Sequence, residues 1–232
     1  MIGGVILCGG LGMRLRARVA DRPKALASVQ GRPFLSYQLD WLAANGIFEI
    51  TLAAGYLGDQ IEEFVQGWQD DRLSLSVVLE PEPLGSGGAI VNAVKARNIN
   101  ADQLIVLNGD TLFDFATAPL FLQHMETSAP ATLVVNEVDD IARFGSVDLA
   151  GKLVCGFHQP SGLHESGVVN AGAYVLDHAQ IMSLPGGPFS IEQEYFPQMA
   201  AAGRLFAYRL PVGQSFFDIG TPEAFDRINR VG

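Results

Sequence analysis

Val5-Ile6-Leu7-Cys8-Gly9-Gly10-Leu11-Gly12-Met13-Arg14-Leu15 is the stretch on which the fold turns. A short apolar run ends in a glycine pair, the pattern of a buried strand feeding a tight turn. Glycines after a strand let the backbone approach a ligand and aim several N–H groups at phosphate oxygens. Arg14 adds a guanidinium fork suited to phosphate. The commoner glycine loops do not fit. No GxxxxGK[ST] string is present, and Gly10-Leu11-Gly12 is followed by Leu15 where a dinucleotide fingerprint needs its last glycine.

Outward from this stretch, strands and helices alternate. Residues 33–45 read as a helix: Phe34, Leu35, Leu39, Leu42 and Ala43 share a face, Pro33 suits the first turn, and Asn45-Gly46 ends it. A strand is expected at 50–54 and a helix at 58–68, with Ile61, Phe64, Val65 and Trp68 on one side. A strand at 75–79, a helix at about 87–96 and a strand at 104–107 follow. This order predicts an α/β fold with a largely parallel sheet. After about residue 115 the strands at 132–135, 146–149 and 168–176 are no longer regularly separated by helices. They are expected to be antiparallel additions forming a lid on the second-substrate side. A helix at 191–202, a strand at 205–210 and a last helix at 222–230, capped by Thr221, complete the chain. Without a Pro/Ser-rich linker or a repeat, the expectation is one domain, with a nucleotide-binding half over about 1–115 and a second-substrate half over about 116–232. Trp41 and Trp68 stand at helical apolar spacing and read as core.

The 232 residues are 48% hydrophobic and 17% charged, which supports a substantial core and excludes disorder. No apolar stretch approaches the roughly 20 residues of a membrane span, and the N-terminus lacks a basic n-region. A cytoplasmic protein without a membrane partner is expected. Cys8 and Cys155 read as two reduced, buried thiols, and no CxxC or HxxH spacing suggests structural zinc. The net charge of -10 argues against a nucleic-acid partner. Residues 14–32 break the acidic trend: Arg14, Arg16, Arg18, Arg22, Lys24 and Arg32 face the single acid Asp21. Either this is a local site for a small polyanion or it is a solvated loop.

Arg22-Pro23-Lys24, ten residues beyond Arg14, makes the pattern specific. The glycine-rich stretch, Arg22-Pro23-Lys24-Ala25-Leu26 and Gly31-Arg32-Pro33 together closely resemble the N-terminal signature of sugar-1-phosphate nucleotidyltransferases. That resemblance implies a Rossmann-like three-layer α/β/α fold with a mixed, mostly parallel sheet. It also implies a loop, Leu7 with Gly9, Gly10 and Gly12, that cradles a nucleoside triphosphate, with Arg14 and Lys24 on its phosphates. Cys8, usually Ala, and Met13, often Thr, leave the backbone N–H groups intact.

Later segments match the same family in order. Glu80-Pro81-Glu82-Pro83-Leu84-Gly85 resembles its base-recognition loop, with Glu80 and Gly85 as nucleotide contacts; read alone it is a Pro/Gly turn before a helix. Leu107-Asn108-Gly109-Asp110 ends a strand with a carboxylate, where α/β sheets place ligands. The resemblance gives Asp110 to Mg²⁺ and to the nucleotide. Asp218, in Phe217-Asp218-Ile219-Gly220, resembles the second metal ligand; its apolar neighbours imply burial, and a buried carboxylate needs a partner. On the sugar-phosphate side the resemblance implies Gly145, Asn170, Gly172 and Glu192. Glu192 would accept from sugar hydroxyls, or else simply cap its helix. One family motif is altered: Gly156-Phe157-His158-Gln159-Pro160 lacks the lysine that relatives place on the sugar phosphate, so Gln159 or an arginine such as Arg143 substitutes, or binding differs. The four histidines show no spacing pattern and receive no chemistry.

The implied reaction is attack by a sugar-1-phosphate oxygen on the α-phosphorus of the triphosphate. That nucleophile is already anionic, so positioning and charge stabilisation by Arg14, Lys24, Asp110 and Asp218 replace a general base. Guanine presents two adjacent donors that a carboxylate accepts together; Glu80, where an amide would suit uracil or thymine, favours GTP. Within the family the chain looks most like D-glycero-α-D-manno-heptose-1-phosphate guanylyltransferases. Uridylyl or thymidylyl transfer, a non-catalytic nucleotide-sugar-binding module, and a dinucleotide-dependent oxidoreductase are the alternatives. Oligomeric state is not readable, and a homodimer is allowed.

Overall fold

The computed structural model describes residues 1–15 and 18–230. In chain order the elements are β1 (Ile2–Leu7), a 3-10 turn (Lys24–Leu26), β2 (Ser28–Val29), β3 (Arg32–Pro33), α1 (Phe34–Ala44), β4 (Glu49–Ala54), α2 (Gly58–Gln66), β5 (Ser74–Leu79), α3 (Gly85–Arg97), β6 (Gln103–Asn108) and β7 (Thr111–Asp114). Then come α4 (Ala118–Thr127), β8 (Ala131–Val138), β9 (Ser146–Ala150), β10 (Leu153–His158), β11 (Gly167–Asp177), α5 (His178–Met182), a π-turn (Ile191–Tyr195), α6 (Phe196–Ala201), β12 (Leu205–Arg209), β13 (Ser215–Asp218) and α7 (Pro222–Arg230).

Nine strands form one sheet in the order β5-β4-β1-β6-β11-β8-β12-β10-β9. The β5-β4-β1-β6 block is all parallel. β11 runs antiparallel between β6 and β8, β12 is parallel to β8, and β10 is antiparallel to β12 and β9. Most later strands therefore join the main sheet. The small antiparallel pieces are two-stranded: β7 with β13 and β2 with β3.

Both faces of the sheet are covered, as a continuous apolar strand such as β1 requires. Val5 enters one core with Ile90, Ala93 and Val94 of α3, Ile181 of α5 and Phe196 and Met199 of α6. Its neighbour Ile6 enters the other, with Leu35, Leu39 and Leu42 of α1, Ile61 of α2 and Leu120 and Phe121 of α4. A third cluster joins Leu15, Ala27, Val29, Phe34 and Ile219, with Phe225 and Ile228 of α7 packed against it. Leu15 thereby anchors the far end of the glycine-rich loop.

Trp41 packs against Phe113 and Phe115, and Trp68 against Phe64, so both serve the core as expected. Thr221 caps α7, its Oγ1 accepting from the Ala224 N–H at 3.3 Å. The helix expected over 191–202 is broken into a π-turn and α6. Pro197, at the start of α6, has no N–H to carry an α-helical ladder back into that turn. Of the two thiols only Cys8 is buried; Cys155 is exposed, because alternation on β10 turns Val154 into the core and its neighbour out. Among the described residues no helix is long and apolar enough to cross a membrane. His124 is buried in a polar network, Nδ1 to Thr132 at 2.8 Å and Nε2 to Asp177 at 3.2 Å, and burial lowers its pKa.

Candidate active site

The parallel block ends its strands at one edge, and there the turns after β1 and β6 meet. Gly109 donates its N–H to the Leu7 carbonyl at 3.0 Å, and the Cys8 N–H donates to Ala53 at 2.7 Å. Gln38, buried on α1, holds the turn before Asp110 from behind: its Nε2 donates to the Asn108 carbonyl at 2.8 Å and the Thr111 carbonyl at 2.7 Å.

A cavity of about 340 Å³ opens on this edge, within the roughly 300–1,000 Å³ of small-molecule sites. Leu7, Gly9, Gly10, Lys24, Glu80, Gly85 and Asp110 line it, all of them expected nucleotide contacts. Gly12 stands behind this wall with φ of +58°, a left-handed conformation that favours glycine, against the Lys24 side chain. Glu80 reaches back to its own loop: Oε2 accepts from the Leu84 N–H at 3.0 Å. A carboxylate offers about four lone-pair sites, so this bond leaves acceptor capacity free. Cys8 also borders the cavity, but burial, with Asp110 adding to it, pushes its thiol pKa up to about 12, which leaves an inert thiol.

A second cavity, about 370 Å³, lies beside the first, and Asn108 borders both. It takes in Gly145, Asn170, Gly172 and Glu192, the four expected sugar-phosphate residues, together with Asp218. Arg14, expected on the triphosphate, lines this second cavity. Arg143 and Gln159 line it too.

Glu192 is held by three hydroxyls. Tyr174 donates to Oε1 at 3.1 Å, Ser190 to Oε2 at 3.0 Å, and Ser86 makes a further short bond to Oε2. Burial, then the nearby Glu192 charge, raises the Tyr174 pKa well above its usual value, so its hydroxyl remains a donor. The capping of this segment falls to other residues: Ser190 Oγ accepts from the Gln193 N–H at 3.1 Å, and Glu194 takes the Ser190 N–H at 2.8 Å. Glu192 is therefore not the capping glutamate. Ser86, on the wall of the first cavity, ties it to a residue of the second.

Asp110 and Asp218 meet where the cavities join. β13 pairs with β7 so that Asp218 stands opposite Thr111, and the Ile219 N–H donates to the Asp110 carbonyl at 2.9 Å. Burial, followed by repulsion from Asp110, raises the Asp218 pKa, while the Gly220 N–H, Arg143 and Lys24 offset this. The Lys24 ammonium bonds Asp110. Two crowded carboxylates, one of them desolvated, fit a divalent cation, and Mg²⁺ commonly uses one or two carboxylates with water and phosphate completing its shell. Among the described residues no group of three acidic, His or Cys side chains offers a fuller cage.

The basic cluster of 14–32 does not act as one patch. Arg18 pairs with Asp226 at 3.0 Å, Arg22 with Asp21 at 2.8 Å and Arg32 with Asp40 at 2.9 Å. Arg16 lies outside the described residues. Arg14 and Lys24 are the members that line the cavities.

A family model described as nucleotidyl transferase matches residues 3–231. The chain belongs to the nucleotidyl transferase family. It is 31% identical over 229 residues to D-glycero-alpha-D-manno-heptose 1-phosphate guanylyltransferase of Aneurinibacillus thermoaerophilus, covering 97% of this chain and 96% of that one. It is 32% identical to the catalytic subunit beta of mannose-1-phosphate guanylyltransferase from Xenopus tropicalis, covering 95% of this chain and 62% of that protein. Among solved structures it is similar to HddC from Yersinia pseudotuberculosis complexed with GMP-PN, with a TM-score of 0.86 and 32% identity over 100% of this chain and 99% of that one. This nucleotidyl transferase thus shares its whole fold, mixed sheet included, with a nucleotide-bound relative. Sequence reasoning did not single out Asn108, Ser86 or Gln38 for the site. Asn108 and Ser86 lay inside quoted motifs, and a polar Gln38 among the apolar positions of α1 was the one available signal.

Proposed function

We propose that this nucleotidyl transferase moves a guanylyl group from GTP to a sugar 1-phosphate, D-glycero-α-D-manno-heptose 1-phosphate being the preferred acceptor, and releases pyrophosphate with Mg²⁺ as cofactor. The observation that carries this reading is the placement of Asp110 and Asp218 at the junction of two cavities, one walled by the glycine-rich loop and one by two arginines. The guanylyltransferase names of the relatives support the base and the acceptor. So does Glu80, whose carboxylate can accept from N1–H and N2–H of guanine while keeping Leu84. In this reading residues 1–115 bind mainly the nucleotide and 116–232 mainly the sugar phosphate. Asp218 is the exception, a residue of the second half that serves the nucleotide's metal. We place the reaction in the cytoplasm.

Backbone N–H groups of Gly9, Gly10 and Gly12 and the Lys24 ammonium hold the triphosphate, and Arg14, which lines the adjoining cavity, stabilises the departing pyrophosphate. Asp110 and Asp218 would hold Mg²⁺, which supplies charge neutralisation and a template for phosphate oxygens. Gly145 and Gly172 shape the acceptor cavity, Asn170 donates within it, and Glu192 takes a sugar hydroxyl with the acceptor capacity its three donors leave. The acceptor phosphate is anionic at neutral pH, so no residue needs to remove a proton.

Pyrophosphate release from a panel of triphosphates and sugar 1-phosphates, with and without Mg²⁺, tests this. GTP with the manno-configured heptose phosphate is expected to give the highest kcat/KM, and turnover is expected to vanish in chelator. Preference for UTP or dTTP would refute the assignment of the base.

A further inference from the structure

We infer that Arg143 is the cation that anchors the phosphate of the second substrate; this rests on the reading above that the second cavity takes a sugar 1-phosphate. Three side chains on that cavity's wall can carry positive charge: Arg14, Arg143 and His158. His158 is engaged by Asp148 at 2.7 Å. Arg14 belongs to the glycine-rich loop, which also walls the first cavity. Arg143 is fixed from two sides. Its guanidinium lies 4.2 Å over the Phe144 ring, and its Nη1 stands 3.7 Å from Asp218 and 3.4 Å from Thr221 Oγ1. A planar guanidinium stacked on an aromatic ring is oriented before the ligand arrives, and its remaining N–H groups can grip two phosphate oxygens.

The backbone explains why the charge can sit at 143 rather than at 159. Gly145 has φ of +75°, and a Cβ there would run into the His158 carbonyl and lie 3.2 Å from the Gln159 peptide carbon. Glycine thus lets the 143–145 turn press directly on His158-Gln159-Pro160 at the end of β10, so both reach one cavity. This segment brings an uncharged Gln159. Contact with Asp218 further places Arg143 beside the carboxylate pair where the acceptor phosphate must come to react.

The test measures pyrophosphate release with GTP and D-mannose 1-phosphate or the heptose 1-phosphate as acceptor. Arg143→Gln is expected to raise KM for the acceptor about tenfold or more, with KM for GTP within about twofold of wild type. Adding Gln159→Lys to Arg143→Gln is expected to recover most of that loss, because a cation returns to the same cavity. An unchanged acceptor KM in Arg143→Gln, or equal rises in both KM values with a higher Mg²⁺ requirement, would overturn the assignment; the latter would make Arg143 a clamp for Asp218. If Arg143→Gln does not fold, Gln159→Lys alone decides. It should lower the acceptor KM about threefold or more by adding attraction at close range, and no change overturns the inference. If the wild type turns over neither acceptor, the functional reading fails, and calorimetric binding of the same sugar phosphates to wild type and Arg143→Gln still reads the anchor: equal affinities overturn it.

Discussion

Asp110→Asn is expected to lower kcat by roughly 10²–10³, the usual cost of one electrostatic contact at a charge-developing centre. Three features converge on this carboxylate. Gln38 braces its turn, the β7–β13 register sets Asp218 beside it, and Lys24 bonds it. Asparagine keeps the shape and can still accept from Thr111 Oγ1, which lies 3.3 Å away. It removes the charge that would help bind a divalent ion, and with it the repulsion that, after burial, raises the Asp218 pKa. A loss of turnover should therefore come without a loss of fold, checked by pyrophosphate release beside a thermal melt. Turnover within tenfold of wild type would contradict the role given to Asp110.

Phe196→Ala is expected to cost about 3–5 kcal/mol of stability, since a fully buried aromatic leaves a large cavity. Its ring is 0% exposed, meets Tyr174 edge-on at 4.9 Å and stacks on Phe157 at 6.5 Å. For a chain of this size the melting temperature should fall by roughly 6–20 °C. The defect should also reach the site. Tyr174 donates to Glu192, and Phe196 begins the helix that follows the π-turn carrying Glu192. KM for the acceptor is expected to rise more than KM for the triphosphate. A drop in melting temperature below about 3 °C would mean that the α6 face is not packed as described.

Much of this was legible in the chain because local pattern and topology agree. The run 5–8 is apolar at every position since β1 is buried on both faces, and the glycines after it announce a ligand-facing turn. The meeting of Asp110 and Asp218 was readable only through the family resemblance. It depends on β7 and β13, short strands distant in the chain whose pairing no local periodicity encodes. Charge alone decided less. The cluster at 14–32 could be one anion site or a solvated loop, and it divides: Arg18 reaches α7 and Arg32 reaches α1, partners invisible in a linear reading, while Arg14 and Lys24 line the cavities. Glu192 could equally have been a helix cap, and only the bonds show that Glu194 caps while Glu192 turns to the hydroxyls. Cys155 was assigned to the core by residue type alone, whereas its position on a strand near the sheet edge decides its exposure.

In the proposed function the glycine-rich loop, Glu80 and the carboxylate pair form one GTP–Mg²⁺ site. A crystal structure with a non-hydrolysable GTP analogue and Mg²⁺ tests it most directly. Phosphates are expected against the Gly9–Gly12 backbone, the guanine edge on Glu80 and the metal on Asp110 and Asp218. A base away from Glu80, or a metal that touches neither aspartate, would contradict it.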